Sequence, residues 1–146
     1  MAYTIQGVVA RAGVFPTPPL AHLKTVNLEQ GIEMVPLATS AQRYYSFPFC
    51  PLTDEGVAEL PQTLAELCCR LSRLGTVAYI EAEIFGGAGT QAHVIFNRGA
   101  AQGSAVVSEH AINEALRILG INASGVFDEF DAVGLGRHRH TDDWLG

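Results

Sequence analysis

The amino-acid sequence predicts a single α+β domain, in which an antiparallel or mixed sheet carries two main helices packed on one face. Three observations predict this class: the chain has 146 residues, 48% of them are hydrophobic, and strand-like alternation is interleaved with helical spacing. A chain of this length buries roughly two thirds of its unfolded surface, which is enough for one core. We therefore expect one domain over residues 1–146, with mobility confined to loops and the last few residues.

Strand-like segments occur in both halves of the chain. β-branched and aromatic residues alternate loosely with other residues in these segments, and Gly or Pro punctuates them. The glycine-rich stretch after Phe85 predicts a tight hairpin, because glycine adopts positive φ without strain. The predicted strands cover residues 3–10, 24–29, 32–37, 76–85, 90–97 and, in a short piece, 105–107.

Helical spacing is clearest in two segments. From Pro61 to Leu74 the leucines recur on one side, Glu66 and Arg70 are expected to pair on the outer side, and Gly75 follows as a stop signal. A second helix is predicted from Ser108, as its cap, to Leu119, with Gly120 beyond.

The segment between the two halves carries mixed signals. Prolines 48 and 51 disfavour regular structure, so residues 43–51 are expected to form an irregular aromatic loop. Packing of this loop over one end of the core is favoured, and an exposed patch for a partner is the alternative. Thr53 is followed by Asp54 and Glu55, a pattern typical of a helix start, because carboxylates favour the positive end of the helix dipole.

Charge and cysteine content exclude several classes of function. The formal net charge is −6, with 15 acidic and 9 basic residues, which disfavours a nucleic-acid-binding groove. No stretch of about 18 apolar residues occurs, so neither a membrane span nor membrane association is expected, and no secretory signal is evident. A cytoplasmic location is therefore expected. Cys50, Cys68 and Cys69 lack CxxC spacing and are expected to be reduced thiols.

The string from Gly87 to Ala92 matches the GxGxxG/A pattern of dinucleotide-binding loops. Such a loop must open into a helix whose amides face the phosphates, whereas residues 92–96 alternate like a strand. The sequence therefore favours a hairpin over a nucleotide site, and no cofactor is expected.

Two carboxylates occupy alternate positions of the strand before this hairpin. Glu81 and Glu83 project to one face, beside Gln91 or His93 of the partner strand in our prediction. If burial separated their pKa values, they could divide acid and base roles or hold a cation. A solvated sheet face is the favoured interpretation.

The densest polar cluster, Arg137 to Asp143, lies near the end of the chain. His138 and His140 would share one side of an extended segment, and HxH with aspartate is competent to bind a transition metal. No third histidine is fixed nearby by spacing, so no metal site is expected.

Two segments carry a family resemblance: Tyr79 to Gln91, with the string EAEIFGGAGTQ, and Asp128 to Arg137, with DEFDAVGLGR. They resemble a small, uncharacterised bacterial protein family. The resemblance implies a bacterial source and supplies no reaction, ligand or catalytic residue. In size and acidity the chain is also similar in general character to immunity proteins that neutralise toxins.

These observations favour a non-enzymatic binding protein, of inhibitor or immunity type, with a basic protein as its partner. Its expected contact surface comprises Glu81, Glu83, Gly86, Gly87, Gly89, Gln91, Arg137 and His138. One alternative is a small metal-dependent or acid–base enzyme that uses Glu81, Glu83, His93 and the C-terminal histidines. The other is a structural subunit that self-associates into a homo-oligomer through the hairpin edge or the aromatic loop.

Overall fold

A computed structural model describes residues 2–85 and 88–146 and confirms the α+β class. The strands are β1 (Ala2–Arg11), β2 (Val26–Asn27), β3 (Ile32–Pro36), β4 (Thr76–Phe85), β5 (Ala88–Asn97), β6 (Ala100–Ala101) and β7 (Val106–Ser108). The helices are α1 (Thr39–Tyr45), α2 (Gln62–Leu71), α3 (Ala111–Ile118) and α4 (Glu129–Val133), followed by 3₁₀ turns at Leu135–Arg137 and Thr141–Leu145.

All strands belong to one antiparallel sheet, in the order β2-β3-β1-β4-β5-β6, with β7 also paired to β5. The first strand of the chain is therefore central: β1 lies between β3 and β4. The residues that follow the glycine-rich turn form strand β5 rather than a helix, as the hairpin interpretation predicted.

The two main helices pack on opposite faces of the sheet, so the prediction of a single helical face is wrong. Val77 and Tyr79 of β4 lie in one apolar core with α2, whereas Ala78 and Ile80 lie in the other with α3. The physical reason is that β1 and β4 are buried on both faces along most of their length, so each face needs a cover.

Helix α2 ends at Leu71, three residues before the predicted end. Ser72 leads the chain out of the helix, with its hydroxyl donating to the Cys69 carbonyl oxygen (3.1 Å). Leu74 therefore lies outside the helix and 66% of its surface is exposed. The expected Glu66–Arg70 pair does not form, since Glu66 accepts a hydrogen bond from Gln62 instead (2.8 Å).

The segment from residue 39 to residue 55 differs most from its prediction. Residues 39–45 form helix α1, which ends at Ser46 in the left-handed conformation, ahead of Pro48. Thr53 starts no helix; residues 51–55 form turns. The prediction failed there because the amides that a helix would have used are bound by a side chain of the sheet, described below.

The C-terminal residues lie along the free edge of the first half of β1. The Thr4 amide donates to the Arg139 carbonyl oxygen (2.7 Å), and the Gln6 amide donates to the Thr141 hydroxyl (3.1 Å). Asp142 accepts hydrogen bonds from the amide and hydroxyl of Thr39 at the start of α1. The predicted mobile end of the chain is thus anchored to β1 and α1 in the structure.

Two further predictions concerned the state of the cysteines and membrane-spanning segments. The cysteines are free thiols, of which Cys50 and Cys68 are buried. Within residues 2–85 and 88–146, no helix has the length and apolar character needed to cross a bilayer.

Candidate functional site

Glu81, the strongest sequence candidate, lies at the centre of the sheet and is fully buried. It projects to the α2 side of β4, where Tyr79 precedes it on the same face. Across the strands it is paired with Gln6 of β1, which is also fully buried. The favoured interpretation of a solvated sheet face is therefore wrong for Glu81, because the chain from Cys50 to Thr53 covers it.

The carboxylate of Glu81 binds the covering loop. Its Oε1 accepts hydrogen bonds from the Leu52 amide (3.1 Å), the Thr53 amide (2.9 Å) and the Thr53 hydroxyl (3.0 Å). Its Oε2 accepts a hydrogen bond from the Tyr79 hydroxyl. Since donors satisfy both oxygens, this carboxylate fixes the turn that covers it.

Gln6 extends the network to the preceding segment. Its amide nitrogen donates to the Tyr79 hydroxyl (3.0 Å) and to the Pro48 carbonyl oxygen (3.2 Å). Its amide oxygen accepts from the Gln42 side chain (3.1 Å) and from the Cys50 amide (3.3 Å). Sequence analysis did not single out Gln6, although a glutamine inside the apolar run of β1 was the available signal.

Burial dominates the electrostatics of this network. It raises the pKa of Glu81, although the hydrogen bonds from Tyr79, Thr53 and Leu52 act in the opposite direction. Burial also raises the pKa of Tyr79 and of the Cys50 thiol, and the negative charge of Glu81 adds to both shifts. Burial and the nearby carboxylates thus disfavour the thiolate form of Cys50, which is the nucleophilic form.

Glu83 lies one step further out on the same face and is only partly buried. Burial raises its pKa, and so does the neighbouring carboxylate of Asp54, while a hydrogen bond from the Thr53 hydroxyl (3.4 Å) lowers it. Glu83 and Asp54 therefore form a partly solvated acidic pair above the buried network.

Gln91 and His93 do not lie beside the two carboxylates, and this prediction is wrong. In the observed register Glu81 is paired with Ala92, whereas Gln91 and His93 are paired with Ala82 and Ile80 on the other face. The sheet thus separates His93 from Glu81, and the grouping required by the acid–base enzyme does not form.

On the α3 face, Gln91 and His93 have structural partners. The side-chain oxygen of Gln91 accepts a hydrogen bond from the Ile112 amide (3.0 Å) in the first turn of α3. His93 Nε2 lies 2.8 Å from Glu114 Oε1 and donates to it, since a carboxylate only accepts.

The glycines of the hairpin are only partly described. Gly86 and Gly87 lie outside the described residues. Gly89 is paired with Ile84, and a Cβ atom at this position would be 2.4 Å from the Glu83 carbonyl oxygen. Gly89 therefore permits close approach of the two strands.

Arg137 and His138 lie around Trp144, on the far side of β1 from the hairpin. The Arg137 guanidinium is 5.3 Å from the centre of the Trp144 ring and donates to the Asn27 carbonyl oxygen (3.3 Å). The His138 ring meets Trp144 edge to face, with centroids 4.6 Å apart. Both side chains thus help to hold the C-terminal segment.

Four side chains define what we call the hairpin face: Phe49, Asp54, Glu83 and Phe85. Phe85 follows Glu83 on the same side of β4 and is 58% exposed. Phe49, 42% exposed, lines a cavity with Thr4, which is paired with Glu83 across the strands. Sequence analysis did not name Phe85 as a contact residue, and it favoured packing of the aromatic loop that carries Phe49 on the core over exposure of that loop to a partner.

Among the residues that the structure describes, no group of three His, Cys, Asp or Glu side chains is arranged to hold a metal ion. Comparisons with protein-family models, curated proteins and solved structures each found no significant match to the chain.

Proposed function

We propose that the protein is a non-enzymatic binding protein, of inhibitor or immunity type, that recognises a basic protein through the hairpin face. The observation that carries the proposal is that two exposed phenylalanines, Phe49 and Phe85, lie at the same end of the sheet as the acidic pair of Glu83 and Asp54. Aromatic side chains supply most of the binding energy in many protein interfaces, and carboxylates select a partner of opposite charge.

The surrounding structure supports a preorganised surface. Thr53, next to Asp54, is held by Glu81, and Pro48, next to Phe49, is held by Gln6. The backbone that carries Asp54 and Phe49 is thus held in place before binding, which lowers the entropic cost of binding. The acidic excess of the chain adds a long-range attraction for a basic partner.

The proposal keeps part of the contact surface expected from the sequence and changes the rest. Glu83 belongs to the hairpin face, and Glu81 supports it from below. The C-terminal segment borders the other side of β1, where its Arg139 backbone bonds Thr4. We also propose that the protein is bacterial and acts in the cytoplasm.

The test uses native mass spectrometry of the affinity-tagged protein purified from its own host. We expect a complex with a protein of net positive charge. The double variant Glu83→Arg/Phe85→Ser should weaken this complex about 30-fold or more, because it removes an aromatic anchor and reverses a charge.

The matched control is Glu109→Arg/Phe127→Ser, which makes the same changes at exposed residues outside the hairpin face. It should retain the partner. Equal binding by both double variants would contradict the proposed surface. A homo-oligomer that only the hairpin-face variant dissociates would instead support the self-associating subunit.

A further inference from the structure

A second surface lies at the opposite end of β4, beside the end of α2. There a groove of about 310 Å³ is bounded by the loop after β1 and by the residues that leave the helix. Its apolar walls come from Val14, Leu20, Leu71 and Leu74, and the guanidinium-bearing side chains of Arg70 and Arg73 also line it. We propose that this groove binds the anion of a medium-chain fatty acid.

The floor of the groove is continuous with the core, which makes it a preformed feature. Leu71 is buried at 2% exposure, and Val14 and Leu20 pack against the same core. A Cβ atom at Gly75 would lie 3.2 Å from Val14, so the turn after α2 already touches this wall. By contrast, Leu74 leaves 66% of its surface exposed and has apolar area to cover.

Charge indicates which apolar molecule the groove suits. Within residues 2–85 and 88–146, the side chains of Arg70 and Arg73 form no hydrogen bond or ion pair. Both arginines are exposed and line the same groove, so they give it a positive charge on a chain with net charge −6. Arg70 lies in the last turn of α2, where a positive charge interacts favourably with the helix dipole. Arg73 lies beyond the end of the helix, so the dipole does not explain its position.

An apolar wall flanked by two arginine side chains fits a ligand that has one alkyl chain and one carboxylate. Arginine binds carboxylate groups with two parallel hydrogen bonds, and the alkyl chain would cover Leu74. The groove volume lies at the lower end of the range for small-molecule sites, roughly 300–1,000 Å³, which favours a medium chain over a long one.

This proposal does not depend on the proposed function. The ten residues of β4 separate the groove from the hairpin face by about 30 Å. A protein partner at one end and a fatty acid at the other would be compatible.

The test is a titration of ¹⁵N-labelled protein with decanoate, followed by amide chemical shifts. We expect saturable shifts around Val14, Leu20 and residues 70–75. Arg70→Gln/Arg73→Gln should weaken binding roughly fivefold to tenfold, as expected for two exposed ion pairs. Leu74→Asp should abolish saturable binding, because it places a like charge against the carboxylate.

Three controls make the result decisive. Arg139→Gln removes an exposed arginine beside β1 and should bind decanoate like the wild type. The neutral analogue 1-decanol should bind more weakly than decanoate. Shifts absent from the groove, unchanged binding by the double arginine variant, or tighter binding of an acidic leucine-rich peptide than of decanoate would each overturn the proposal.

Discussion

Glu81 and His93 are both buried polar side chains on neighbouring strands, yet their surroundings differ sharply. Glu81 is fully buried, and both of its oxygens accept hydrogen bonds from Tyr79 and the Leu52–Thr53 turn. His93 is 3% exposed and has one partner in Glu114, and among residues 2–85 and 88–146 its Nδ1 meets no hydrogen-bond partner. Burial alone therefore does not tell what a polar group does.

The difference lies in what each side chain holds together. Glu81 accepts from backbone amides, so it determines the path of a turn that has no strand partner of its own. His93 contacts the side chain of Glu114, which is 46% exposed. Water can therefore hydrate Glu114 when His93 is replaced. We infer that Glu81 is part of the architecture and that His93 is a local link between β5 and α3.

The largest expected effect comes from Glu81→Leu. The substitution leaves the Leu52 amide, the Thr53 amide and the Tyr79 hydroxyl without their acceptor in the interior. We expect the free energy of unfolding to fall by about 3–5 kcal/mol. Urea unfolding followed by circular dichroism measures it. Glu83→Gln, at the partly solvated position, is the control and should change stability by less than about 1 kcal/mol.

A smaller effect is expected from His93→Leu. Leucine has a volume similar to that of histidine and removes the Nδ1 atom that has no partner. The substitution takes a hydrogen bond only from Glu114, whose exposed carboxylate can bind water instead. The free energy of unfolding should stay within about 1 kcal/mol of the wild type in the same urea experiment. A loss as large as that of Glu81→Leu would show that the two side chains are equivalent and would refute the contrast.

The smallest effect is a pH dependence. Because burial raises the pKa of folded Glu81 above its ordinary value of 4.5, the folded state binds a proton more tightly than the unfolded state. Between 4.5 and the raised pKa, the free energy of unfolding therefore decreases as pH rises and increases as pH falls.

Glu81→Gln lacks this titration, so the comparison isolates it. On lowering the pH from neutrality to 4.5, the ordinary pKa of a glutamate, the wild type should gain stability relative to this variant. Urea midpoints and slopes at several pH values measure the difference. A wild type that loses stability relative to Glu81→Gln over this range would show that the hydrogen bonds outweigh burial.

Sequence patterns predicted the regular elements whose apolar faces are simple. Strands β1, β4 and β5 and helices α2 and α3 occur where alternation or helical spacing placed them, within a few residues. The predicted hairpins implied an antiparallel sheet. The faces on which the helices pack could not be predicted, because a strand that is buried on both faces has a nearly continuous apolar run, which does not indicate which helix covers which face.

The candidate site was less accessible to prediction. The alternation of β4 placed Glu81 and Glu83 on one face correctly, but the pairing that sends Gln91 to the other face depends on hairpin register. The burial of Glu81 depends on a turn about 28 residues away in sequence, at Thr53. Such contacts arise from tertiary structure, and local propensity at Thr53 even favoured a helix there.

The central position of β1 has a consequence for synthesis on the ribosome. β3 follows β1 closely in sequence, but the other partner strand, β4, begins only at Thr76, and residues 139–141 cover the remaining free edge of β1. During translation the β4 edge of β1 therefore stays unpaired until the second half of this sequence is made, a stage at which unpaired strands are prone to aggregation. β1 is thus made well before the segments that complete its hydrogen bonding.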